Sequence, residues 1–450
     1  MSSPAKLRAD VEQIWRAGVE AVRPERLFAD QVDLAGGTLR IADLEVPLER
    51  FRRIAVVGGG KAGAGMVRGL EQALGPQLLA AKHVHGLVSV PAPCVGPTQA
   101  IRLVAGRPAG VNEPRPEGAA AADQMLRLVA KLTPDDLCIC LLSGGGSALL
   151  PAPIAGVSLA EKTAVTRLLS AGGATINQLN TVRASISRIK GGGLARACGA
   201  GVMVTLIISD VIGDPLEAIA SGPTVPCPTG PADALRVFDE LGLADEPAAA
   251  AVIERLRQLP QAAGRDTHAP YPAVHNVILA NNAVAVDAAG IEAERLGYNH
   301  AMHCAAHDEG QAEEVGRRLA EMAVQMRDQP GPDCLITGGE PTVKLAPAGE
   351  RGRGGRNQQL VLAALAELGD CRGVALLSGG TDGEDGPTDA AGGVVDERVA
   401  RAAQQRGDDL ADALRRNDAY PLLDACGGLL RTGPTHTNVC DLRVVAVRQP

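Results

Sequence analysis

Residues 137–150 read LCICLLSGGGSALL, six apolar positions without polar alternation and then three glycines between two serines. A strand that is apolar at every position is buried on both faces, as in a parallel sheet covered by helices. A glycine turn directly after such a strand stands where open α/β sheets bind their ligands, at the carboxyl ends of the strands. The pattern recurs on both sides of this stretch. RIAVVGGG (53–60), HGLVSV (85–90) and IRLVAG (101–106) precede it, and VMVTLIISD (202–210) follows. Helical spacing separates these strands, at 63–74, at 116–131 and in a long stretch before 202. Residues 5–22 form a further helix, with Val11, Ile14, Trp15 and Val19 on one face.

After Thr224 the chain turns to breakers and alanines: PCPTGPADA, two short helical patterns, then HAPYP. The strand pattern then resumes with VHNVILANN (274–282), CLITGGE (334–340), VALLSGGTDG (374–383) and a closing strand DLRVVAV (441–447). The expected organisation is therefore two α/β domains, residues 1–250 and 251–450, with the boundary inside 225–272.

Composition limits the function. Aromatics are only 2% of 450 residues, so the core must be built from Ala, Val, Leu and Ile. A net charge of −8 argues against a nucleic-acid surface, while leaving room for a local basic pocket. The 10 cysteines form no CxxC pair and read as buried thiols in a reducing compartment, so a cytoplasmic location is expected. No signal-peptide pattern opens the chain and no 18-residue apolar run appears, so no membrane span is expected. Association into a homo-oligomer is compatible with the sequence.

Several motifs point to anion chemistry. Gly58-Gly59-Gly60-Lys61-Ala62-Gly63 fits G-x-G-x-x-G, in which backbone amides approach a phosphate at a helix start. The acid that would hold a ribose about 20 residues on is missing, because 75–90 contains no Asp or Glu. An NAD site is disfavoured, and Lys61 adds a cation to the turn; the plain alternative is a tight turn with a solvated lysine. Ser143, Gly144, Gly145, Gly146 and Ser147 form a candidate backbone nest for phosphate. In NQLNTVRASISRIKGGG (177–193), Arg183 and Lys190 are the better site candidates against a solvated helix face with a glycine cap. Asp210 ends an apolar strand and suits a metal ion or proton transfer. Glu340 ends another such strand. Arg351, Arg353 and Arg356 lie among glycines before an apolar helix and read as a mobile basic loop, with Arg356 and Asn357 nearest the helix start. Asn357, with Arg183 and Glu340, is a candidate substrate contact. Asp382, Glu384, Asp385 and Asp389 fall within eight residues, either around Mg²⁺ or as an acidic turn that satisfies its own amides. His300, His303 and His307 are a weak metal set.

Taken together, GGGKAG, LLSGGGSALL, INQLNTVRASIS, IISDVIGDPLEAIASGPT, TGGEPTVKL, GRGGRNQQL, SGGTDGEDGPTDAAG and GPTHTNVCDL, spread over 58–442, resemble the glycerate 2-kinase family, whose C-terminal half is called the MOFRL domain. The resemblance implies an N-terminal Rossmann-like, mostly parallel α/β domain and a smaller C-terminal α/β domain, with the active site in the cleft between them. It implies transfer of the γ-phosphoryl group of ATP to D-glycerate, with Mg²⁺, and with Lys61 and Arg356 as the leading active-site residues. His436 departs from it, since glycine is expected there in many relatives. The rival readings are an NAD(P)H-dependent hydroxypyruvate reductase, against which the missing ribose acid counts, and a metabolite-binding regulator without catalysis.

Overall fold

The computed structural model describes residues 4–108, 111, 113–260 and 272–449. The chain forms two compact units, Leu27–Leu279 and Met1–Arg26 with Ala280–Pro450. The expected division differs in two respects. The first helix, Pro4–Ala21, belongs with the second half of the chain. Its stripe of Leu7, Val11, Ile14 and Trp15 is fully buried in the core of that unit, and Trp15 Nε1 donates to the Gly379 carbonyl at 3.3 Å. The breaker-rich stretch contains no boundary through residue 257. Helices Pro231–Glu240 and Ala250–Arg257 pack through Val237, Phe238, Val252 and Leu256 onto Val165, Leu169 and Val182 of the same unit. Most of HAPYP lies outside the described residues.

The Leu27–Leu279 unit opens with a three-stranded antiparallel meander, β1 (Val32–Ala35), β2 (Thr38–Ile41) and β3 (Leu44–Pro47). Its main sheet has six strands: β4 (Arg53–Gly59), β5 (His85–Pro91), β6 (Ile101–Arg107), β7 (Asp136–Ser143), β8 (Val202–Ile208) and β9 (Ala273–Ala280). Their order is β6-β5-β4-β7-β8-β9, and the pairs from β6 to β8 are parallel. The order reverses between β4 and β7, which makes the sheet doubly wound and puts its switch point at the carboxyl ends of those two strands. Val57, Cys138, Cys140 and Met203 pack against Ala121, Met125 and Val129 of helix Pro116–Val129, a close fit that alanines permit. The helix from Gly63 breaks at Gly75 (φ 71°) before Pro76, as the pattern ending at Leu74 indicates. Helices Leu159–Ala171 and Ile176–Ser185 each start with a capping box, Ser158 with Glu161 and Thr175 with Gln178.

The other unit holds six strands: β10 (His300–Cys304), β11 (Cys334–Gly339), β12 (Val374–Gly380), β13 (Gly392–Val395), β14 (Leu429–Leu430) and β15 (Asp441–Val447). Their order is β10-β11-β15-β12-β13-β14; β10 and β11 pair parallel, and the other four pairs are antiparallel. The last strand is therefore central, antiparallel to both neighbours. Helices cover both faces: Ile336, Leu377 and Val444 face Trp15 and Val286, while Leu335, Leu376 and Val445 face Leu319 and Leu360. This two-sided burial is why these strands show no polar alternation. No helix among the described residues is long and apolar enough to cross a membrane.

Candidate active site

At the switch point, β4 runs through Gly58 and Gly59 into Gly60-Lys61-Ala62. The Lys61 amide donates to the Gly144 carbonyl at 2.8 Å and the Ala62 amide to Ser143 Oγ at 3.0 Å, so the two glycine turns are bonded to each other. The glycines of the first turn are required by the sheet itself. A β-carbon on Gly58 would lie 2.0 Å from the Leu141 carbonyl oxygen, and one on Gly60, at φ 156°, would lie 2.0 Å from Ser143 Oγ. Close approach of β7, rather than of a ligand, explains them. Gly145 is different. It is left-handed (φ 75°), and a β-carbon there would come within 3.3 Å of Lys61 Cγ and 3.9 Å of Arg107 Nη2. The Ser143–Gly146 turn, Lys61 and Arg107 thus share one small space at the ends of β4, β6 and β7. Arg107 is buried and ends β6, and its Nη1 donates to the carbonyls of Val111 (2.7 Å) and Pro108 (3.3 Å). The sequence reading missed it, although an arginine closing an apolar strand was visible.

Behind this turn lies a second set. Lys190, 1% exposed, donates through Nζ to Ser147 Oγ (2.6 Å), Ser221 Oγ (3.2 Å) and the Ala220 carbonyl (3.4 Å). Ser221 Oγ donates in turn to Asn180 Oδ1 at 3.0 Å. Ala220 (φ 50°) and Ser221 (φ 62°) are both left-handed, a strained pair of the kind held in place at functional sites. Lys162, buried on helix Leu159–Ala171, donates through Nζ to the Arg183 carbonyl at 3.3 Å. Burial and Arg183 push Lys162 down to about 7. Burial, Arg183 and Lys162 push Lys190 well below the usual lysine range, and burial lowers Arg183. Lys162 was also missed. Its signal was positional: it lies three residues before Val165 and seven before Leu169, on the buried stripe of its helix. Asp210 lies just beyond β8, half-buried.

In the other unit, Arg356 is the first residue of helix Arg356–Leu368, and it is not on a mobile loop. Its Nε and Nη2 donate to the two oxygens of Asp441 at 2.7 and 2.9 Å, and Nη1 pairs with Glu340 at 2.8 Å. Asp441 is fully buried. Burial pushes its carboxyl up, but the charge and hydrogen bonds of Arg356, helped by Arg443, hold it below the usual range. Burial disfavours the Arg356 charge as well, yet Asp441 and Glu340 outweigh it and raise the guanidinium. Asp385 caps the helix, accepting from the amides of Asn357 (3.1 Å) and Gln358 (2.9 Å). Asn357, expected to touch substrate, is fully buried, with its Oδ1 accepting from Ser378 Oγ at 2.5 Å, so it braces the helix start from inside. Asp382 is half-buried and accepts the Glu384 amide at 3.0 Å, which is the amide-satisfying reading of the acidic turn. Asp210 and Asp382 belong to different units, and no group of three His, Cys, Asp or Glu side chains able to hold a metal occurs among the described residues. His300 and His303 are three residues apart on β10 and so point to opposite faces. His436 is left-handed (φ 63°), a conformation that glycine adopts without strain.

A doubly wound sheet whose switch point gathers glycine turns, basic side chains and hydroxyls is the kind of place where open α/β sheets bind small anionic ligands. This chain belongs to the glycerate kinase family. Residues 10–257 match a domain of unknown function, DUF4147, and residues 333–441 match the MOFRL family. The chain is 37% identical over 504 residues to a glycerate kinase of Bos taurus, covering 98% of this chain and 93% of that protein. It is 34% identical over 451 residues to the D-glycerate 2-kinase of Thermotoga maritima, covering 98% and 99%. A crystal structure of a glycerate kinase from Thermotoga maritima superposes with a TM-score of 0.81 at 33% identity, covering 99% of this chain and 100% of that one.

Proposed function

We propose that this protein transfers the γ-phosphoryl group of ATP to D-glycerate, forming 2-phospho-D-glycerate and ADP. The carrying observation is the joined pair of turns at the switch point, with Lys61, Arg107 and the Lys190–Ser147 contact around it. Family membership supplies the reaction class.

In this reading the turns containing Gly59, Gly60, Ser143, Gly144, Gly145, Gly146 and Ser147 receive nucleotide phosphate, and the left-handed Gly145 turns successive amides to one side. Lys61 neutralises charge on the transferring group, in a phosphate cradle that is not a P-loop. Arg356 serves the same transfer. Asp441 and Glu340 take three of its five N–H groups and fix its direction, and the other two remain for a phosphoryl oxygen. Arg183 and Glu340 are assigned to the acceptor, Asn357 supports Arg356 from inside the helix start, and Lys190, bonded to Ser147, is assigned to nucleotide phosphate. Mg²⁺ keeps several waters and leans on substrate phosphates, so single carboxylates such as Asp210 and Asp382 fit it without a preformed cluster. Asp210 and Asp382 would hold it, and the chemistry it would supply there is neutralisation of nucleotide phosphate charge. Ten free cysteines, seven of them buried, support a reducing compartment, the cytoplasm.

One coupled assay tests the function. ADP release with D-glycerate is expected, without NADH oxidation on hydroxypyruvate. A ³¹P spectrum of the product should show the C2 ester. NADH consumption, or no turnover with either substrate, overturns the proposal.

A further inference from the structure

Three basic side chains lie together in the Leu27–Leu279 unit: Lys162 and Lys190 are 3% and 1% exposed, and Arg183 is half-buried beside them. Arg183 pushes protons off both lysines and Lys162 pushes them off Lys190, and no carboxylate forms an ion pair with any of the three among the described residues. Buried charge is ordinarily paired, because an isolated ion loses several kcal/mol of hydration. Elsewhere this chain follows the rule, with Arg443 held by both oxygens of Glu309 at 2.8 and 2.7 Å. The cluster is also lined by groups suited to hydroxyls. Ser147 and Ser221 lie 3.0 Å apart and Asn180 meets Ser221, on a backbone strained at Ala220 and Ser221.

We infer that Lys162, Arg183 and Lys190 form the seat of the acceptor's carboxylate, with Ser147, Ser221 and Asn180 beside it for the hydroxyls of a small hydroxy acid. This rests on the kinase reading and deepens it: Lys190 and Ser147 move to the acceptor side, and Lys162 gains a role. A phosphate would satisfy the same charges. The polyphosphate of a nucleotide is larger, however, and the turns with Lys61 already offer it a place, whereas the cluster's two lysines are buried and hydroxyls line it. The Lys162 ammonium would act chiefly as a positioning charge, since its Nζ also holds the Arg183 carbonyl.

Calorimetry on the full chain, without turnover, decides the matter. D-glycerate, glycerol, inorganic phosphate and ADP are titrated into the wild type, Lys162→Met and Arg183→Gln. Each variant is expected to weaken D-glycerate binding by about 10- to 100-fold, the loss of one charge-assisted contact, while ADP affinity stays within about twofold. Glycerol, which lacks the carboxylate, should bind neither the wild type nor the variants measurably. In kinetics, KM for D-glycerate should rise while KM for ATP holds. Loss of ADP affinity instead would assign the cluster to the nucleotide, and unchanged D-glycerate affinity in either folded variant would make it structural; both overturn the inference. If Lys162→Met does not fold, Arg183→Gln decides alone. A wild type that binds D-glycerate through this cluster yet does not phosphorylate it would defeat the kinase reading and leave this one standing.

Discussion

Replacing Asp385 with Asn should remove a pH dependence of stability that the helix cap creates. Asp385 is 2% exposed, and its carboxylate accepts the amides of Asn357 and Gln358 at the start of the helix that presents Arg356. Burial pushes its carboxyl up from 3.8 to about 6; the two amides and Arg356 oppose this, and Asp441 adds to it. The sign follows from proton linkage. The folded state holds the proton more tightly than the unfolded state, so this group's contribution is fully present below pH 3.8 and is lost as pH rises through about 6. At roughly 1.36 kcal/mol per tenfold, the loss amounts to about 3 kcal/mol. In a unit of this size that is about 6–12 °C in the unfolding midpoint. Asp385→Asn cannot titrate. Its absolute stability is less decisive, because one amide of the cap then faces an N–H group at a cost of about 1–3 kcal/mol. The measurement is therefore the difference between wild type and variant in thermal unfolding at pH 4, 5, 6 and 7. That difference should move against the wild type by most of the full amount. Asp441 does not confuse the reading: its lowered carboxyl adds stability that is lost only as pH falls below the usual range. Parallel curves from pH 4 to 7 would refute the buried-carboxyl argument.

Lys61→Ala should lower turnover by about 10²- to 10³-fold, the cost of one preorganised charge at a transition state, with an unchanged circular dichroism spectrum; near-wild-type turnover in the folded variant would remove Lys61 from the chemistry. Activity should vanish in excess EDTA and return with Mg²⁺, and full activity in EDTA would sink the divalent-ion proposal. Gly60→Ala puts a methyl 2.0 Å from Ser143 Oγ, and overpacking of this kind costs about 1–3 kcal/mol. A lower unfolding midpoint is expected, and an unchanged one would mean that the two turns part easily.

Uninterrupted apolar runs made β4, β7, β8, β11 and β12 legible, because two-sided burial leaves its mark on every residue of a strand. Sheet order leaves no such mark. Nothing in DLRVVAV distinguishes an edge strand from the central position that β15 takes, and nothing in 5–22 says which sheet the helix covers. Glycine was legible as a turn, but what approaches it was not: Gly58 and Gly60 are explained by β7, and Gly145 by Lys61 and Arg107. Charge on a buried stripe is the subtler case. Lys162 interrupts the apolar face of its helix, as Asp441 and Arg443 interrupt the start of β15. From sequence the three look alike. In space they separate, because Asp441 meets Arg356 and Arg443 meets Glu309, so those charges are answered within the chain. Among the described residues Lys162 meets basic groups and a carbonyl, with no carboxylate paired to it. An unanswered buried charge is costly, which is why Lys162 gives up its proton so readily; a ligand carboxylate would restore that charge and its partner together, and this difference in counter-ion separates a structural pair from the proposed carboxylate seat.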